Sequence, residues 1–213
     1  MAIQKYKYFG FIKYCNNACI INEIENLKNV DLPKNQEGST LLMIAASQGN
    51  LEIFEYLLEK GANIFALNNK MNNCLIEAVK YNHLHIAQRI MLIKNSKELD
   101  KSEPLYQACK NNNLNMVKLL IKNGANPNCH QINSKILLIA CVRHSSIDII
   151  RYLLQQNAYM DTRSFNNWTP LTFATSEKKT EIVKLLKAYG ASTHFRGPRR
   201  ACACQIAINL GYD

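Results

Sequence analysis

The stretch Thr169-Pro170-Leu171-Thr172-Phe173-Ala174 opens one copy of a pattern that the chain repeats about every 33 residues. The copy that opens at Thr40 continues with Leu41-Leu42, Ala45-Ala46, Gly49, Ile53, Leu57-Leu58 and Gly61-Ala62. Other copies open at Asn73, Glu103, Lys135 and Cys202, and the step that leads from Thr169 to Ala174 leads from them to Ala78, Ala108, Ala140 and Ala207. Successive starts from Thr40 to Cys202 lie 33, 30, 32, 34 and 33 residues apart, so insertions and deletions are small. Gly61-Ala62, Gly124-Ala125 and Gly190-Ala191 close three copies, and Asn157-Ala158 closes a fourth.

The residue types at each step have a physical reason. Apolar residues at helical spacing run from the start to about the eighth step, as in Leu41, Leu42 and Ala45, and again through Ile53, Phe54, Leu57 and Leu58. Each copy is thus predicted to be a helix, a tight turn and an antiparallel helix. The alanine pair is small so that two backbones pack closely. Gly49, Asn82, Asn112 and Gly211 stand where the first helix must end in the left-handed region, which glycine and asparagine adopt with little strain. Lys178 and the His144-Ser145 pair depart from that rule, and the fourth copy has one extra residue in its turn, which predicts a looser end to its first helix. Leu57 and Leu119 are expected in the core between neighbouring helices.

A single helix pair cannot bury its apolar face, and an array needs about three copies or more to be stable. The repeat therefore overrides the expectation of one or two globular domains that 213 residues would set, and predicts one elongated domain. A hydrophobic content of 47% with 20% charged residues fits a stacked helical core and excludes a disordered chain.

The hexapeptide at Thr169 resembles the T-P-L-H-x-A signature of ankyrin repeats, and residues 39–213 carry that resemblance. It implies an all-α fold, an ankyrin-repeat solenoid of stacked antiparallel helix pairs with hairpin loops. Residues 1–38 would be a degenerate N-terminal capping repeat and first hairpin, residues 39–201 five repeats, and residues 202–213 a partial sixth repeat. That last segment is either the C-terminal cap or the start of chain that continues. Within residues 6–30, Tyr6, Tyr8, Phe9 and Ile12, then Ile20, Ile21, Ile24 and Leu27, read as two short amphipathic helices, and residues 33–38 as the first hairpin.

In that family the hairpin tips and the exposed end of the inner helix face the ligand. Carried onto this chain, those positions give Asn69, Lys70, Lys80 and Tyr81, then Lys110, Gln131 and Arg143, and then Phe165, Trp168 and Arg199 as the partner-binding set. Ser39 and Val142 fall in the same rows. Basic and aromatic residues are the types that anchor protein interfaces. Trp168 is either a contact or a cover for its own hairpin. The second copy ends Ile90-Met91-Leu92-Ile93-Lys94-Asn95 without Gly-Ala, and the connection to Glu103 is too short for a full hairpin, which predicts a notch there.

Other chemistry has little support. The motifs of serine hydrolases, P-loops and zinc proteases are missing, and the cysteines and histidines fall on repeat scaffolding, so no enzyme, cofactor or metal is expected. Cys109 and Cys141 occupy the second alanine position, and Cys74 and Cys204 also stand at packing steps, which reads as structural thiols in a reducing compartment. His83 is read as a hydrogen-bonding turn residue. A Sec-type signal peptide and a membrane span are both absent from the sequence pattern. The net charge of +10 points to an acidic partner, with lysines such as Lys118, Lys122, Lys184 and Lys187 solvating the outer helices.

The expectation is a monomeric protein-binding module for a protein of acidic or mixed surface, with nucleic acid disfavoured for want of a dense basic and aromatic stripe. Its Asn, Ile and Lys bias makes it similar to ankyrin effectors of intracellular bacteria, which implies a location in the cytoplasm or in a host cytosol. The alternatives are a targeting domain of a larger enzyme that continues past residue 213, and a nucleic-acid binder.

Overall fold

The computed structural model describes residues 16–25, 27–32, 34–129, 136–144, 146–164, 166–195, 197 and 201–211. The chain divides into two compact units, Met1–Asp100 and Lys101–Asp213. The first unit holds α1 (Asn17–Glu25), α2 (Leu41–Gln48), α3 (Leu51–Glu59), α4 (Cys74–Lys80) and α5 (Leu84–Met91), then a single 3-10 turn at Ser96–Glu98. The second holds α6 (Ser102–Lys110), α7 (Leu114–Lys122), α8 (Leu137–His144), α9 (Ile147–Gln155), α10 (Pro170–Ser176), α11 (Thr180–Ala188) and α12 (Ala203–Asn209). The regular structure is helical, and the helices alternate inner and outer as the repeat requires. The first helix expected within residues 6–30 lies outside the described residues, and α1 is the second.

The starts at Thr40, Asn73, Thr169 and Cys202 are helix N-caps, which explains why threonine and asparagine recur there. Thr40 Oγ1 accepts from the Met43 N–H at 3.4 Å, and Asn73 Oδ1 accepts from the Ile76 N–H at 3.0 Å. At Thr169 the cap is reciprocal: its hydroxyl accepts from the Thr172 N–H at 3.1 Å, and Thr172 Oγ1 accepts from the Thr169 N–H at 2.8 Å. Cys202 takes the same place with its sulfur, 3.5 Å from the Gln205 N–H. The third copy departs. There α6 begins at Ser102, before Glu103, and its N-cap Lys101 makes no side-chain cap bond. Pro104 is tolerated because the first helical turn has no use for its missing N–H.

The left-handed stops fall where they were expected, with φ of 70° at Gly49, 63° at Asn82, 54° at Asn112 and 75° at Gly211. Lys178 adopts the same conformation at φ 59° despite its Cβ, so the fold imposes the turn where the residue does not favour it. A second left-handed position, two residues before the start, recurs in the hairpins at Gly38, Met71 and Asn167. Between Leu92 and Lys101 there is a 3-10 turn in place of a hairpin, as the shortened connection predicts.

Burial follows the repeat. In the first unit α2 packs most extensively on α4, and Leu41, Ala45, Ile53, Phe54, Leu57, Leu75, Ala78 and Ile86 are completely buried. In the second, Leu105, Ala108, Val117, Leu120, Cys141, Ile150, Leu153 and Ala174 are their equivalents. Leu119 is half-buried, contrary to expectation. Leu120 is the residue seventeen steps after Glu103, as Leu57 is after Thr40, and it points inward in its place. Cys74, Cys109 and Cys141 are buried, as small packing residues should be. Burial pushes the Cys74 thiol up to about 12, and a hydrogen bond with Cys141, with burial second, raises Cys109 well above the usual thiol range. Cys204 is exposed, because α12 carries no further helix over that face among the described residues. No described helix is long and apolar enough to cross a membrane.

Two measurements test this packing. Leu57→Ala and Leu120→Ala should each cost about 2–5 kcal/mol, whereas half-buried Leu119→Ala should cost clearly less; equal shifts in the thermal melts at 119 and 120 would reject the register. Lys178→Gly should raise stability by roughly 1 kcal/mol by relieving the left-handed backbone, and Lys178→Ala should bring no such gain, since alanine keeps the Cβ. Denaturant midpoints distinguish the two variants.

Candidate functional site

In the first unit the predicted contact residues gather on the hairpin around residues 68–72 and the end of α4. Asn68 is the hidden organiser: its Oδ1 accepts from the N–H groups of Lys70 at 2.9 Å and Asn72 at 3.0 Å, while its Nδ2 donates to Ser39 Oγ at 3.2 Å. Ser39, one of the positions expected to face a ligand, is therefore buried beneath the hairpin instead. Glu77, almost fully buried on α4, accepts from Asn72 Nδ2 at 2.8 Å and ties the hairpin to the inner helix.

Asn69 bridges successive hairpins, its N–H donating to the Glu37 carbonyl at 2.9 Å and its Nδ2 to that of Gln36 at 3.3 Å. Lys70 Nζ lies 2.7 Å from Glu37 Oε1, with both side chains more than half exposed. Their hydrogen bond, with the opposite charge second, lowers the Glu37 pKa and raises that of Lys70. Lys80 lies 3.7 Å from Glu77 Oε2 and 4.8 Å above the ring of Tyr81, which is 51% exposed. Met71 is 68% exposed at the tip, in the left-handed conformation. The patch presents an ammonium pair beside an open tyrosine and methionine.

In the second unit Arg143 and Trp168 meet through Phe173, a residue that the sequence reading did not place among the contacts. The Arg143 guanidinium sits 5.6 Å over the Phe173 ring, and Trp168 meets the same ring edge-on at 5.7 Å. Such contacts contribute about 0.5–1 kcal/mol for an exposed cation over a ring and about 0.5–1.5 kcal/mol for the aromatic pair. Trp168 is half-buried, and its backbone N–H donates to Ser164 Oγ at 3.1 Å within its own hairpin. Lys110 and Arg143 are exposed at the ends of α6 and α8. Val142, the neighbouring expected contact, is fully buried.

Lys179 stands one repeat after that helix end and donates to the carbonyls of Val142 at 2.7 Å and Arg143 at 2.9 Å. A cation there offsets the negative end of the α8 dipole. His83 does the equivalent work in the first unit, with Nε2 2.9 Å from the Ser47 carbonyl, so the structural reading of that histidine holds. Partial burial, followed by the charges of Arg143, Lys110 and Lys179, lowers the His144 pKa and marks this end of the second unit as positive. Gln131, Phe165 and Arg199 lie outside the described residues.

The family described as ankyrin repeats (3 copies) matches residues 11–103 and 105–196. The chain is 29% identical over 157 residues to the B-cell lymphoma 3 protein homolog of mouse, covering 73% of this chain and 29% of that protein. It is 31% identical over 142 residues to the glycerophosphocholine phosphodiesterase gde1 of Schizosaccharomyces pombe, covering 63% of this chain and 12% of that one. The chain thus spans less than a third of either relative. Among solved structures it is similar to the human ASB11 ankyrin repeat domain, with a TM-score of 0.81 at 19% identity over 93% of this chain and 90% of that one.

The Glu37–Lys70 pair has a definite pH signature. A lowered carboxylate pKa contributes stability above the ordinary carboxylate range and loses it as pH falls through the lowered value. In an NMR titration Glu37 should have its midpoint below that of an unstructured glutamate, and Lys70→Met should return it toward that reference. An unchanged midpoint in the variant would dissolve the pair.

Proposed function

Because the chain belongs to the ankyrin repeat family, a family of protein–protein interaction modules, we propose that it binds a protein partner of acidic or mixed surface through the two patches above. The observation that carries this reading is the open Arg143–Phe173–Trp168 cluster beside Lys110, matched in the first unit by Lys70, Lys80 and Tyr81. Arginine, tyrosine and tryptophan are the side chains that most often dominate interface energy, and the net charge of +10 favours encounter with an acidic surface. Gln131, Phe165 and Arg199 extend the same set. The division into a capping repeat over residues 1–38, five repeats over 39–201 and a partial sixth over 202–213 belongs to this proposal, as do the monomeric state and a cytosolic location. A role as an effector of an intracellular bacterium rests on the Asn, Ile and Lys bias alone.

A second reading, an interaction domain within a larger enzyme, is supported by the match to a small share of the yeast phosphodiesterase. In either case this chain supplies recognition and the chemistry lies elsewhere.

The test is retention of partners from a lysate of the source cell. Lys70→Glu, Lys110→Glu and Arg143→Glu together should abolish retention while leaving the protein folded by circular dichroism, since all three side chains are exposed and what they lose are surface contacts. Reversal at Lys118, Lys122 and Arg151 changes the net charge equally on outer helices and should leave retention intact. Equal loss from both variants would mean that bulk charge governs binding, and a nucleic-acid partner would replace this reading.

A further inference from the structure

Within the second unit the turns that end successive inner helices are bonded to one another. Asn112, in the turn after α6, accepts through Oδ1 from the Ser146 N–H at 2.7 Å, in the turn after α8. Lys179, in the turn after α10, reaches back to the Val142 and Arg143 carbonyls at the end of α8. Cationic or titratable side chains stand at all three ends: Lys110, then Arg143 with His144, then Lys179. Lys110, Arg143 and His144 are exposed, and Lys179 is half-buried.

The missing countercharge sets this end apart. Elsewhere a carboxylate meets the cation, as Glu37 meets Lys70, Glu77 meets Lys80, Glu55 meets Arg89 and Glu181 meets Lys184. Among the described residues, Lys110, Arg143, His144 and Lys179 have no carboxylate within ion-pair distance. Glu177 at the end of α10 and Asp148 in the first turn of α9 are exposed and do not pair with them. Burial, and after it the charges of Arg143, Lys110 and Lys179, hold the His144 pKa below its ordinary value. Lys179 spends two of its three N–H donors on backbone carbonyls and keeps one. Arg143 is already held over the Phe173 ring, so its guanidinium gives up less freedom on binding.

We propose that this end of the second unit receives a phosphate monoester, carried on a serine, threonine or tyrosine of the protein partner, between Lys110, Arg143 and Lys179 with His144 beside it. The inference rests on the protein-binding reading above and names the group recognised. A phosphate monoester brings about −1.5 to −2 charges and three acceptor oxygens, enough to meet a guanidinium through two N–H bonds and to engage the ammonium groups as well. A carboxylate brings a single charge and leaves part of the cluster unmatched. A nucleic-acid strand spreads its charges along the backbone and needs open ring faces for its bases. Here the Phe173 ring is already engaged by Arg143 and Trp168, and the cations are gathered at one end, which favours the monoester. His144 takes up a proton when the dianion arrives, so its titration midpoint rises on binding.

The probe is the capped tripeptide Gly-phosphoserine-Gly, compared with capped Gly-Glu-Gly and with a short oligothymidylate, each titrated into the full chain and followed by NMR at His144. The phosphopeptide should bind at least about tenfold more tightly than the glutamate peptide and raise the His144 midpoint. Lys110→Gln with Arg143→Gln should bring the phosphopeptide down to the level of the glutamate peptide, with circular dichroism securing the fold. Lys118→Gln with Lys122→Gln, on outer helix α7, should leave it unchanged. No binding at concentrations up to about 10 mM overturns the proposal, as does equal binding of the two peptides or a preference that persists in the Lys110→Gln, Arg143→Gln protein. Tighter binding of the oligothymidylate, lost in that variant, would assign the site to nucleic acid instead. Phosphatase treatment of the source-cell lysate separates the two readings. Retention lost after treatment supports a phosphorylated partner, and retention that survives overturns this inference while leaving the protein-binding reading intact.

Discussion

Each helix pair in this protein depends on the pair one repeat away, because neither has enough apolar surface turned toward its own partner helix to stay folded alone. The side-chain bonds show the same spacing. Asn50 Nδ2 donates to Asn17 Oδ1 at 2.7 Å, 33 residues back; the Asn63 N–H donates to the Asp31 carboxylate, 32 back; and Asn128 Oδ1 accepts from the Tyr159 N–H at 2.7 Å, 31 on. Polar groups freed at turns and helix ends are thus met by the neighbouring copy. Stacking accounts for the alanine pairs, the tight turns and the satisfied caps together.

The same dependence explains why different side chains perform one task. The carbonyls at the end of an inner helix need a donor, and the residue ten steps into the next copy is placed to provide it. His83 does so for Ser47, and Lys179 does so for Val142 and Arg143. What persists is the position and the unsatisfied backbone, and any donor of sufficient reach suffices. Where the local rule is broken, as at Lys178 and Met71 with positive φ, turn bonds accompany the disfavoured backbone: the Met71 N–H donates to the Asn68 carbonyl at 2.9 Å and the Lys178 N–H to that of Thr175 at 3.1 Å.

The exposed side chains of the candidate site stand where stacking makes no demand. The hairpin tips and inner-helix ends carry the exposed cations and rings. These are the places where residues of one repeat position differ in kind, as Glu37 and Lys70 do, because packing does not dictate them.

The sequence by itself determined the all-α class, the helix pairs, the left-handed stops and the shortened connection after Ile93, because each position meets a similar environment in successive copies and the pattern averages out local noise. It also pointed to Lys70, Tyr81, Arg143 and Trp168 as residues outside the core. Only the tertiary structure decided how these are engaged. Glu37 pairs with Lys70 because two hairpins approach across 33 residues. Phe173 becomes the platform under Arg143 because its ring stands between the end of α8 and Trp168. Val142 turns inward, and Leu120 takes the place expected of Leu119, because a one-residue step rotates a side chain by about 100° around a helix, while Ser39, ahead of its helix, is covered by the hairpin that Asn68 organises. Exposure of Cys204 was equally hidden, since a repeat pattern states what a face is built to touch and leaves open whether anything lies against it.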